Sequence, residues 1–519
     1  MLLVSDAIAI VSAIKKARVM GVLIIASPVP PIHRTPPVRS WPTLRPFSEP
    51  VVTVPVRQRS RRAMYPTIHQ VDDVRRLVRP YSTRALARGG NWSEIARMPT
   101  VSLTSDERAM LAGEGGVATQ LAARLLVRMA GLMGAERLVP IVGAHVDGCL
   151  YHGPVSIDFA KRLVDGGGSV RVDTTLNVGA VDLLHPELNR GDPERRTAGR
   201  ELMRLYSALG CRPTWTCAPY QLAKRPMLGE QIAWAESNAI VFANSVLGAR
   251  TERYGDFIDI AAALTGRAPY AGLHSDEGRL ATLHFRLDRI PARLAASDVF
   301  FAALGHLIGR RAGRNVPVIE GITQATEDQL KALGAAAASS GSVAMFHMVG
   351  ITPEAPSLAI ACGHREPTQV IPVSLTDLAH AAAELTSAGN ESLGAVSVGT
   401  PHFSLAEFEQ LRVLLAGRHV SNGVAFYAST GRAVQEELRV REWLDALTAA
   451  GVTIVTDTCT YLAPIMAPIA GAVMTNSAKW AWYGPNNLGI QVIFGSLEEC
   501  VESAVRGERW RDAELWRDV

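Results

Sequence analysis

The chain has 519 residues, of which 48% are hydrophobic and 20% are charged, a balance typical of a folded globular protein and not of a disordered one. This length exceeds one ordinary hydrophobic core, so two or more α/β units are expected. The net charge of +4 is unevenly distributed, because residues 1–100 hold 16 Lys and Arg against 5 Asp and Glu, whereas the rest holds 37 against 44. The mildly acidic body makes nucleic-acid binding an unexpected function.

The first hundred residues differ in pattern from the rest of the chain. Their two apolar runs are each about a dozen residues long and are separated by "KKAR", whereas a membrane-spanning helix needs roughly 20 apolar residues. The charges follow the first apolar run, and a secretory signal has them before it. Residues 28–62 are rich in Pro and Arg, which is typical of an extended linker. We predict a basic, partly disordered extension over residues 1–100 with no membrane role.

The six cysteines are spread through the chain and do not form a disulfide framework. No CxxC pair and no Cys/His spacing typical of zinc sites occurs among them. Scattered thiols fit a reducing cytoplasm, where a cysteine is either inert or a metal ligand. We predict a cytoplasmic protein with free cysteines at positions Cys149, Cys211, Cys217, Cys362, Cys459 and Cys500.

Strand and helix patterns alternate from about residue 101. A helix is predicted in "LTSDERAML", with Thr104 or Ser105 as its N-cap and acidic residues in its first turn. Then follow a strand in "RLVPIVGAHV", a helix in "VSIDFAKRLVD", a strand in "VRVDTTL" and a helix in "ERRTAGRELMRLYSALG". "CRPTWTCAPYQL" is predicted as a strand and loop, and "EQIAWAESNAIVFANSVLG" as one long apolar helix.

The second half of the chain continues the alternation. Strands are predicted in "SVAMFHMVGI", "GAVSVGT", "GVAFYAST", "GVTIVTDTC" and "IAGAVMTNS", and helices in "LAEFEQLRVLLAG" and "VREWLDALTAAG". Thr400 is predicted on a tight turn between a strand and a helix that begins near Ser404. The fold class is therefore α/β, with mostly parallel sheets flanked by helices and a division into two lobes near residues 280–340.

Polar side chains and thiols recur directly after the predicted strands, in "AHVDGCLY", "DTTLN", "TWTCAPY", "GTPH", "TDTCTYLAP" and "MTNSAKWAWYGP". Each alone is more often structural, since a lone cysteine is usually a small hydrophobe and an Asp at a strand end often caps a helix. Ligands of parallel sheets bind at the carboxyl ends of the strands, so the repetition favours one composite active site.

Three kinds of chemistry fit these residues. A nucleophilic cysteine would need a base such as His145 or His402, although no local cysteine motif supports it. A phosphate site would need a glycine-rich loop that opens a helix, but "DGGGSV" ends a helix and no dinucleotide or Walker motif occurs. A metal or iron–sulfur centre on widely spaced cysteines is compatible with the spacing.

The chain resembles the catalytic (large) part of the aconitase X family over roughly residues 101–512. The resemblance is carried by "AHVDGCLY", "TTLNVGAVD", "PTWTCAPY", "GEQIAWAESNAIVFANSVLGARTERYGD", "AAALTGRAPYAGLH", "DTCTYLAP" and "MTNSAKWAWYGP". It implies an aconitase-like multi-domain arrangement and a hydro-lyase acting on a small hydroxy acid. Activities of the family include cis-3-hydroxy-L-proline dehydratase and phosphomevalonate dehydratase, and we expect the first to be the activity here.

The resemblance also implies an iron–sulfur cluster of undetermined nuclearity, in which an iron that lacks a protein thiolate acts as a Lewis acid. Cys217 and Cys459 match two of the three ligand cysteines of the family. Thr400 falls where the third cysteine is expected, and a neutral hydroxyl is a poor substitute for a thiolate. Either the cluster has fewer irons, or another group such as Cys149 replaces the ligand, or the site is degraded.

The remaining matched residues receive roles from the resemblance and their chemistry. Ser477 is the expected proton abstractor, and Lys479 the partner of a substrate carboxylate or phosphate. His402 could orient its loop, and Glu230, Glu236 and Arg250 are read as a structural ion network. Substrate-binding residues are expected among His145, Asp147, Gly148, Cys149, Asn177, Ser237, Asn238, Asn244 and Ser245.

Two rivals to a hydro-lyase follow from the sequence. Thr400 favours a catalytically degenerate relative that binds a small acid or a partner, and the cysteines allow a thiol hydrolase. The family pairs its catalytic part with a small swivelling domain, whose strand-rich, Ser/Gly-loop pattern residues 1–100 do not show. We therefore expect a separate small subunit as a possible partner, and we divide the chain into residues 1–100, 101–512 and a tail at 513–519.

Overall fold

The computed structural model describes residues 101–517, so the basic extension predicted for residues 1–100 lies outside the described residues, as do the last two residues of the tail. Three parallel sheets with helices around them form the described part, together with one small antiparallel pair of strands. The predicted α/β class with mostly parallel sheets is confirmed. None of the helices between residues 101 and 517 is long and apolar enough to cross a bilayer.

The first sheet is short, with strand order β3-β2-β4 and all strands parallel, and β1 pairs antiparallel with β5 beside it. Thr104 caps the first helix and forms a reciprocal capping box with Glu107, which satisfies backbone donors at its N-terminus. The strands are β1 (Leu138–Pro140), β2 (Gly143–Val146), β3 (Asp173–Leu176), β4 (Ala233–Trp234) and β5 (Arg267–Pro269). The helices are α1 (Ser105–Ala112), α2 (Val117–Met133), α3 (Pro154–Asp165), α4 (Pro193–Ala208), α5 (Ser237–Phe242) and α6 (Ile258–Thr265).

The long helix predicted in "EQIAWAESNAIVFANSVLG" is wrong. The segment forms strand β4, then the six-residue helix α5, then a π-helical turn over Ala243–Leu247. The break lies at Glu236, whose backbone has φ +35° and whose carboxylate accepts the N–H groups at the start of α5. "CRPTWTCAPYQL" likewise holds no strand of its own, since Arg212 makes only an isolated bridge to Thr175. Tertiary contacts override the apolar helical pattern here.

The second sheet has strand order β8-β7-β6-β9, and its strands are parallel. Phe285 of the central strand pairs with Ile319 and Ile371 on either side, so the middle of the sheet is apolar and buried. Its strands are β6 (Leu283–Leu287), β7 (Pro317–Glu320), β8 (His347–Met348) and β9 (Gln369–Val373). Its helices are α7 (Ala292–Ala296), α8 (Asp298–Ala312), α9 (Glu327–Ser340), α10 (Leu358–Ala361) and α11 (Leu375–Glu384).

The third sheet has five parallel strands in the order β12-β11-β10-β13-β14. Its strands are β10 (Leu393–Phe403), β11 (Ala425–Thr430), β12 (Val452–Val455), β13 (Ala472–Thr475) and β14 (Val492–Phe494). Its helices are α12 (Leu405–Leu415), α13 (Arg432–Val440), α14 (Trp443–Ala449), α15 (Ala478–Leu488) and α16 (Leu497–Arg506).

The turn predicted at Thr400 is wrong in part, because β10 continues through this residue to Phe403. The strand is irregular there, since its register with β11 shifts between Val398 and Phe403 and Gly399 has φ +85°. The predicted helix start is confirmed, and Ser404 caps α12 in a capping box with Glu407. The irregular stretch locally interrupts the strand ladder and the regular alternation of side chains around residue 400.

Candidate metal centre and active site

Three buried side chains from distant segments meet in one group. Cys217 lies in the loop before the 3-10 turn at Pro219–Gln221, His402 lies near the end of β10, and Cys459 follows β12. One ligand atom from each lies within 4.8 Å of the other two. The His402 backbone N–H donates to Cys217 Sγ at 3.3 Å, and Cys459 Sγ is 3.8 Å from His402 Nε2. Two thiols and an imidazole are a donor set suited to a transition metal.

Without a metal, the Cys459 thiol and the His402 ring are both held in their neutral forms. A hydrogen bond with Cys217, together with burial, raises the pKa of the Cys459 thiol. Burial lowers the pKa of His402 to about 4, so its ring is neutral at pH 7 and keeps a lone pair. A bound cation reverses the first effect, because it stabilises a thiolate directly. The group is thus ready to bind a metal once the thiol protons are released.

Thr400, two residues before His402 in the chain, is buried, and its side-chain oxygen has no hydrogen-bond partner among residues 101–517. It lines a cavity of about 20 Å³, which is room for roughly one water-sized group. Lys331, Glu407, Asn476, Ser477 and Lys479 are among the other lining residues. An unbonded buried hydroxyl costs free energy, so its presence marks a place where a ligand could complete the hydrogen bonding.

Lys479, a candidate site residue of the sequence analysis, is a buried cation. It is 3% exposed, and its ammonium donates to Glu236 Oε1 and, at 3.4 Å, to Ser237 Oγ. Burial opposes the charged form, but Glu236 and neighbouring groups outweigh it and raise the pKa of Lys479. Lys479 is therefore protonated at neutral pH, which fits an anion partner and not a general base.

Glu236 joins Lys479 to the start of α5. Its Oε2 accepts the backbone N–H groups of Asn238 at 2.9 Å and Ala239 at 3.1 Å. Its positive φ is unfavourable for a non-glycine residue and persists only where the surroundings fix it. The sequence placed Glu236 in a structural network with Arg250, but Arg250 pairs with Asp276 instead. The role of Glu236 beside Lys479 was not foreseen.

Ser477 and Asn476 precede α15 and line the same cavity. Ser477 caps the helix by accepting the N–H of Trp480 at 3.0 Å, and its hydroxyl donates to the Thr400 carbonyl oxygen. Asn476 donates to Asp298 at 3.0 Å, which leaves its own carbonyl oxygen without a partner. Two hydrogen bonds to the backbone therefore fix Ser477 next to Lys479. Ser477 both caps α15 and lines the cavity.

Ser237 and Asn238 also belong to this neighbourhood. The Asn238 amide donates to the Cys217 carbonyl oxygen at 2.9 Å, and its own oxygen accepts from the Tyr220 hydroxyl at 2.6 Å. Asn238 therefore fixes the backbone that carries Cys217, and Ser237 contacts the Lys479 ammonium. Their polar groups are engaged within the protein.

The residues predicted after β2 form a second buried cluster. His145 Nδ1 lies 2.7 Å from Thr175 Oγ1, and burial lowers the pKa of His145 to about 3. Asn177 donates to Asp147. The carboxylate of Asp259 accepts the N–H groups of Asp147 at 2.7 Å and Gly148 at 3.3 Å. These contacts order the loop after β2.

Cys149 does not replace the third ligand. Its sulfur donates to the carbonyl oxygens of Asn177 at 3.2 Å and Val146 at 3.5 Å, and it packs in the core of the first sheet. Burial raises the pKa of this thiol, which is the behaviour of an inert core cysteine. Within residues 101–517, the group of titratable side chains close enough to share a metal does not include it.

Asn244 and Ser245 lie on the π-helical turn and bond to the backbone of other segments. Asn244 donates to Thr251 at 2.9 Å and Ala344 at 3.0 Å, and Ser245 accepts the N–H of Phe346 at 2.9 Å. Arg279 donates to the Asn244 oxygen at 3.0 Å. These two residues connect the first and second sheets, and the structure does not bring them to the cavity.

Lys331 is a cavity residue that sequence reasoning missed. It is 3% exposed and pairs with Asp328 at 2.8 Å and with Glu407. Burial raises the pKa of Glu407 to about 7, although the Lys331 charge opposes this. A lone lysine in the alanine-rich segment "LKALGAAAASS" was the available signal, because an ammonium on an otherwise apolar helix has to find a partner.

The fold has three parallel sheets with flanking helices. Segments of the first and third sheets bring together a buried Cys/His group and a buried Lys–Glu pair, which defines a multi-domain α/β protein with a candidate metal centre. The chain belongs to the aconitase X family. Models of the first, second and third domains of aconitase X match residues 100–277, 281–383 and 393–506, respectively. The family resemblance predicted from the sequence is confirmed.

Known relatives agree with this membership. A cis-3-hydroxy-L-proline dehydratase of Pseudomonas aeruginosa is 44% identical over 80% of this chain and 72% of its own length. A second dehydratase of that name, from Hypocrea jecorina, is 42% identical over 79% of this chain and 69% of its own. The phosphomevalonate dehydratase large subunit of Thermococcus kodakarensis is 34% identical over 78% of this chain and 99% of its own.

A solved structure supports the fold. The crystal structure of Thermococcus kodakaraensis aconitase X in its holo-form superposes with a TM-score of 0.70 at 32% sequence identity. The alignment covers 78% of this chain and 100% of that one. The predicted aconitase-like arrangement is therefore found in a protein of known structure.

Proposed function

We propose that this protein is a hydro-lyase that removes water from a small hydroxy acid, with cis-3-hydroxy-L-proline as its substrate. The observation that carries the proposal is the meeting of Cys217, His402 and Cys459 with the protonated Lys479 at one buried place. A metal donor set beside a fixed cation suits elimination of a hydroxyl from a carboxylic acid. The dehydratase relatives at 42–44% identity support this reaction type.

The roles of the side chains follow from their contacts. An ammonium has three donors, and Lys479 directs two of them to Glu236 and Ser237, which leaves one for a substrate carboxylate. Ser477 is the proposed proton abstractor at the carbon next to the carboxylate, because it lines the same cavity as Lys479. In this role it would act as the alkoxide, released from its hydrogen bond to the Thr400 carbonyl oxygen, and the cavity of about 20 Å³ would have to widen to admit the substrate. Glu236 keeps Lys479 charged and in place. His145, Asp147, Gly148 and Asn177 are proposed to support the substrate through the ordered loop after β2.

The residues fit a metal centre but do not supply three thiolates. Cys217 and Cys459 would hold an iron–sulfur cluster, and the partnerless hydroxyl of Thr400 stands where a third thiolate is expected. When bound, such a centre supplies Lewis-acid assistance to the departing hydroxyl. Because the site offers two thiolates and not three, we propose a cluster with fewer irons.

Two alternatives remain distinct from this proposal. A phosphomevalonate dehydratase activity is supported by the large-subunit relatives, which the chain matches over 96–99% of their length. The same relatives support a separate small subunit as partner. A catalytically degenerate relative is favoured by Thr400, because a hydroxyl replaces the expected thiol.

Turnover by protein purified without oxygen and loaded with iron and sulfide tests the proposal. We would incubate it with cis-3-hydroxy-L-proline, its trans isomer or phosphomevalonate, and follow the loss of each substrate's proton signals by NMR. We expect selective turnover of the cis isomer. Lys479→Met should lower kcat/KM by roughly 100-fold or more, as loss of a fixed charged donor does.

A matched control is Lys224→Met, because Lys224 is an exposed lysine paired with Asp173 at 3.2 Å. Its kcat/KM should equal that of the parent. Turnover of phosphomevalonate and of neither proline isomer would show that phosphomevalonate is the substrate. Loaded protein that converts none of the three would contradict the hydro-lyase proposal and favour the degenerate relative.

A further inference from the structure

We propose that His402 Nε2 is the third protein ligand of the metal centre, in place of the thiolate that Thr400 cannot provide. The inference deepens the proposed function and rests on the metal centre that it names. Its consequence is a centre with two sulfur donors and one nitrogen donor. A metal held by these three groups would keep a further coordination position for substrate or water.

The separations within the group are those of ligands on one metal ion. Tetrahedral coordination with metal–sulfur bonds of about 2.3 Å and metal–nitrogen bonds of about 2.0–2.1 Å places neighbouring donors roughly 3.5–3.8 Å apart. Cys459 Sγ and His402 Nε2 are 3.8 Å apart, and the Cys217 sulfur lies within 4.8 Å of both.

The other ring nitrogen of His402 already has the support that metal-binding histidines need. Nδ1 lies 3.2 Å from Thr216 Oγ1, while Nε2 lies 3.3 Å from the Thr458 carbonyl oxygen. A proton on Nε2 would be donated to this carbonyl oxygen. With a metal on Nε2, the proton would lie on Nδ1 and be donated to Thr216, which would hold the ring in its orientation.

Thr400 is the weaker candidate for the third ligand. A neutral hydroxyl binds borderline and soft metals poorly, whereas an imidazole suits zinc, iron and copper alike. Thr400 lines the cavity together with Ser477 and Lys479, the two residues proposed to act on the substrate. Within the described range 101–517, His402 is the nitrogen donor that lies with both sulfurs.

The first test uses Co²⁺ alone as the probe, because thiolate-to-cobalt charge-transfer and ligand-field bands report the donor set directly. We would titrate oxygen-free full-length protein and its variants and record stoichiometry, affinity and spectrum. Thr400→Val is the matched control, since it removes the hydroxyl at nearly constant shape. We expect it to bind Co²⁺ like the parent, and Thr216→Val to bind about 10-fold more weakly. His402→Ala should bind roughly 100-fold more weakly or not at all, since it loses a ligand outright.

His402→Cys covers the case in which His402→Ala fails to fold. It should bind Co²⁺ with more intense charge-transfer bands, because a third thiolate replaces a nitrogen. Circular dichroism and thermal unfolding check the fold of each variant. If Thr400→Val loses Co²⁺ while His402→Ala binds it with the parent spectrum, the assignment is overturned. Binding of no Co²⁺ by the parent overturns it as well.

A second readout is independent of turnover. Protein labelled with ¹⁵N-histidine and loaded with Co²⁺ should show a directly coordinated nitrogen coupling by pulsed electron paramagnetic resonance. That coupling should vanish in His402→Cys. Parent protein without the coupling would refute the ligand assignment. The coupling together with no turnover of any hydroxy acid would leave the assignment intact and contradict the proposed function instead.

Discussion

Replacing Glu236 by glutamine removes the charge that faces the buried Lys479 ammonium and keeps nearly the same shape. Both side chains are almost fully inaccessible, at 4% for Lys479 and 8% for Glu236. Losing one partner of a buried ion pair leaves an uncompensated charge and typically costs about 3–5 kcal/mol. Glutamine retains a carbonyl oxygen for the α5 N–H groups, so we expect a loss near the lower end, about 3 kcal/mol.

A second variant separates the effect of the Glu236 charge from the effect of its hydrogen bonds to the N-terminus of α5. Glu236→Ala removes both, because Glu236 Oε2 also accepts the N–H groups of Asn238 and Ala239. Loss of such an N-cap adds about 1 kcal/mol, so this variant should lose about 4 kcal/mol. In the double variant Glu236→Gln with Lys479→Met no buried charge is left alone. Its loss should be smaller than the sum of the two single losses by about 2 kcal/mol or more.

Urea unfolding of metal-free protein, followed by far-ultraviolet circular dichroism, measures these differences through the denaturation midpoint. Equal slopes among the variants are required for the comparison. A Glu236→Gln loss below about 1 kcal/mol together with additive single effects would refute the reasoning. It would mean that water or another anion already compensates Lys479 and that the pair is not an isolated buried one.

Three further predictions concern single sites and use the same unfolding assay. Gly399→Ala should lose more than about 3 kcal/mol of stability, because Gly399 has φ +85° and a Cβ there would lie 2.1 Å from the Ser429 carbonyl oxygen. The control Gly489→Ala, at φ +68° with no atom within 4 Å of the added Cβ, should lose only about 1 kcal/mol. Equal losses in the two variants would contradict this prediction. Hydrogen bonds with Ser374 and then the Arg311 guanidinium lower the pKa of Asp377 to about 2, so this carboxylate stabilises the fold above pH 4 and the stabilisation disappears as the pH falls from about 4 to 2. Asp377→Asn should therefore cost about 1 kcal/mol at pH 7 and almost nothing at pH 2, after allowance for solvent screening, and a loss that does not change with pH would argue against it. Thr400→Val should leave metal-free stability unchanged or raise it by up to about 1 kcal/mol, because the hydroxyl that it removes has no partner, and a clear loss would show that the hydroxyl is bonded.

The candidate site shows where sequence reasoning succeeded and where it failed. Cys217 and Cys459 were found because their motifs resemble those of a family, and Lys479 because it follows a strand in the same kind of motif. Lys331 was not named, and Glu236 was named only in an ion network with Glu230 and Arg250, although Lys331 lines the cavity and Glu236 pairs with Lys479 beside it. Glu236 and Lys479 are 243 residues apart, and no local pattern of either segment contains the other.

By itself, the sequence determined the local elements of this protein and its membership in the aconitase X family. Caps such as Thr104 with Glu107 and Ser404 with Glu407 were predictable, because a helix end bonds to residues three positions away. Only the tertiary structure decided that the apolar run around Glu236 would break into a strand and short helices. It also decided that His402 and not Cys149 would lie with Cys217 and Cys459, the two candidate ligand cysteines. Such outcomes depend on burial and on charge pairing between distant segments, and these are energies that no stretch of sequence carries alone.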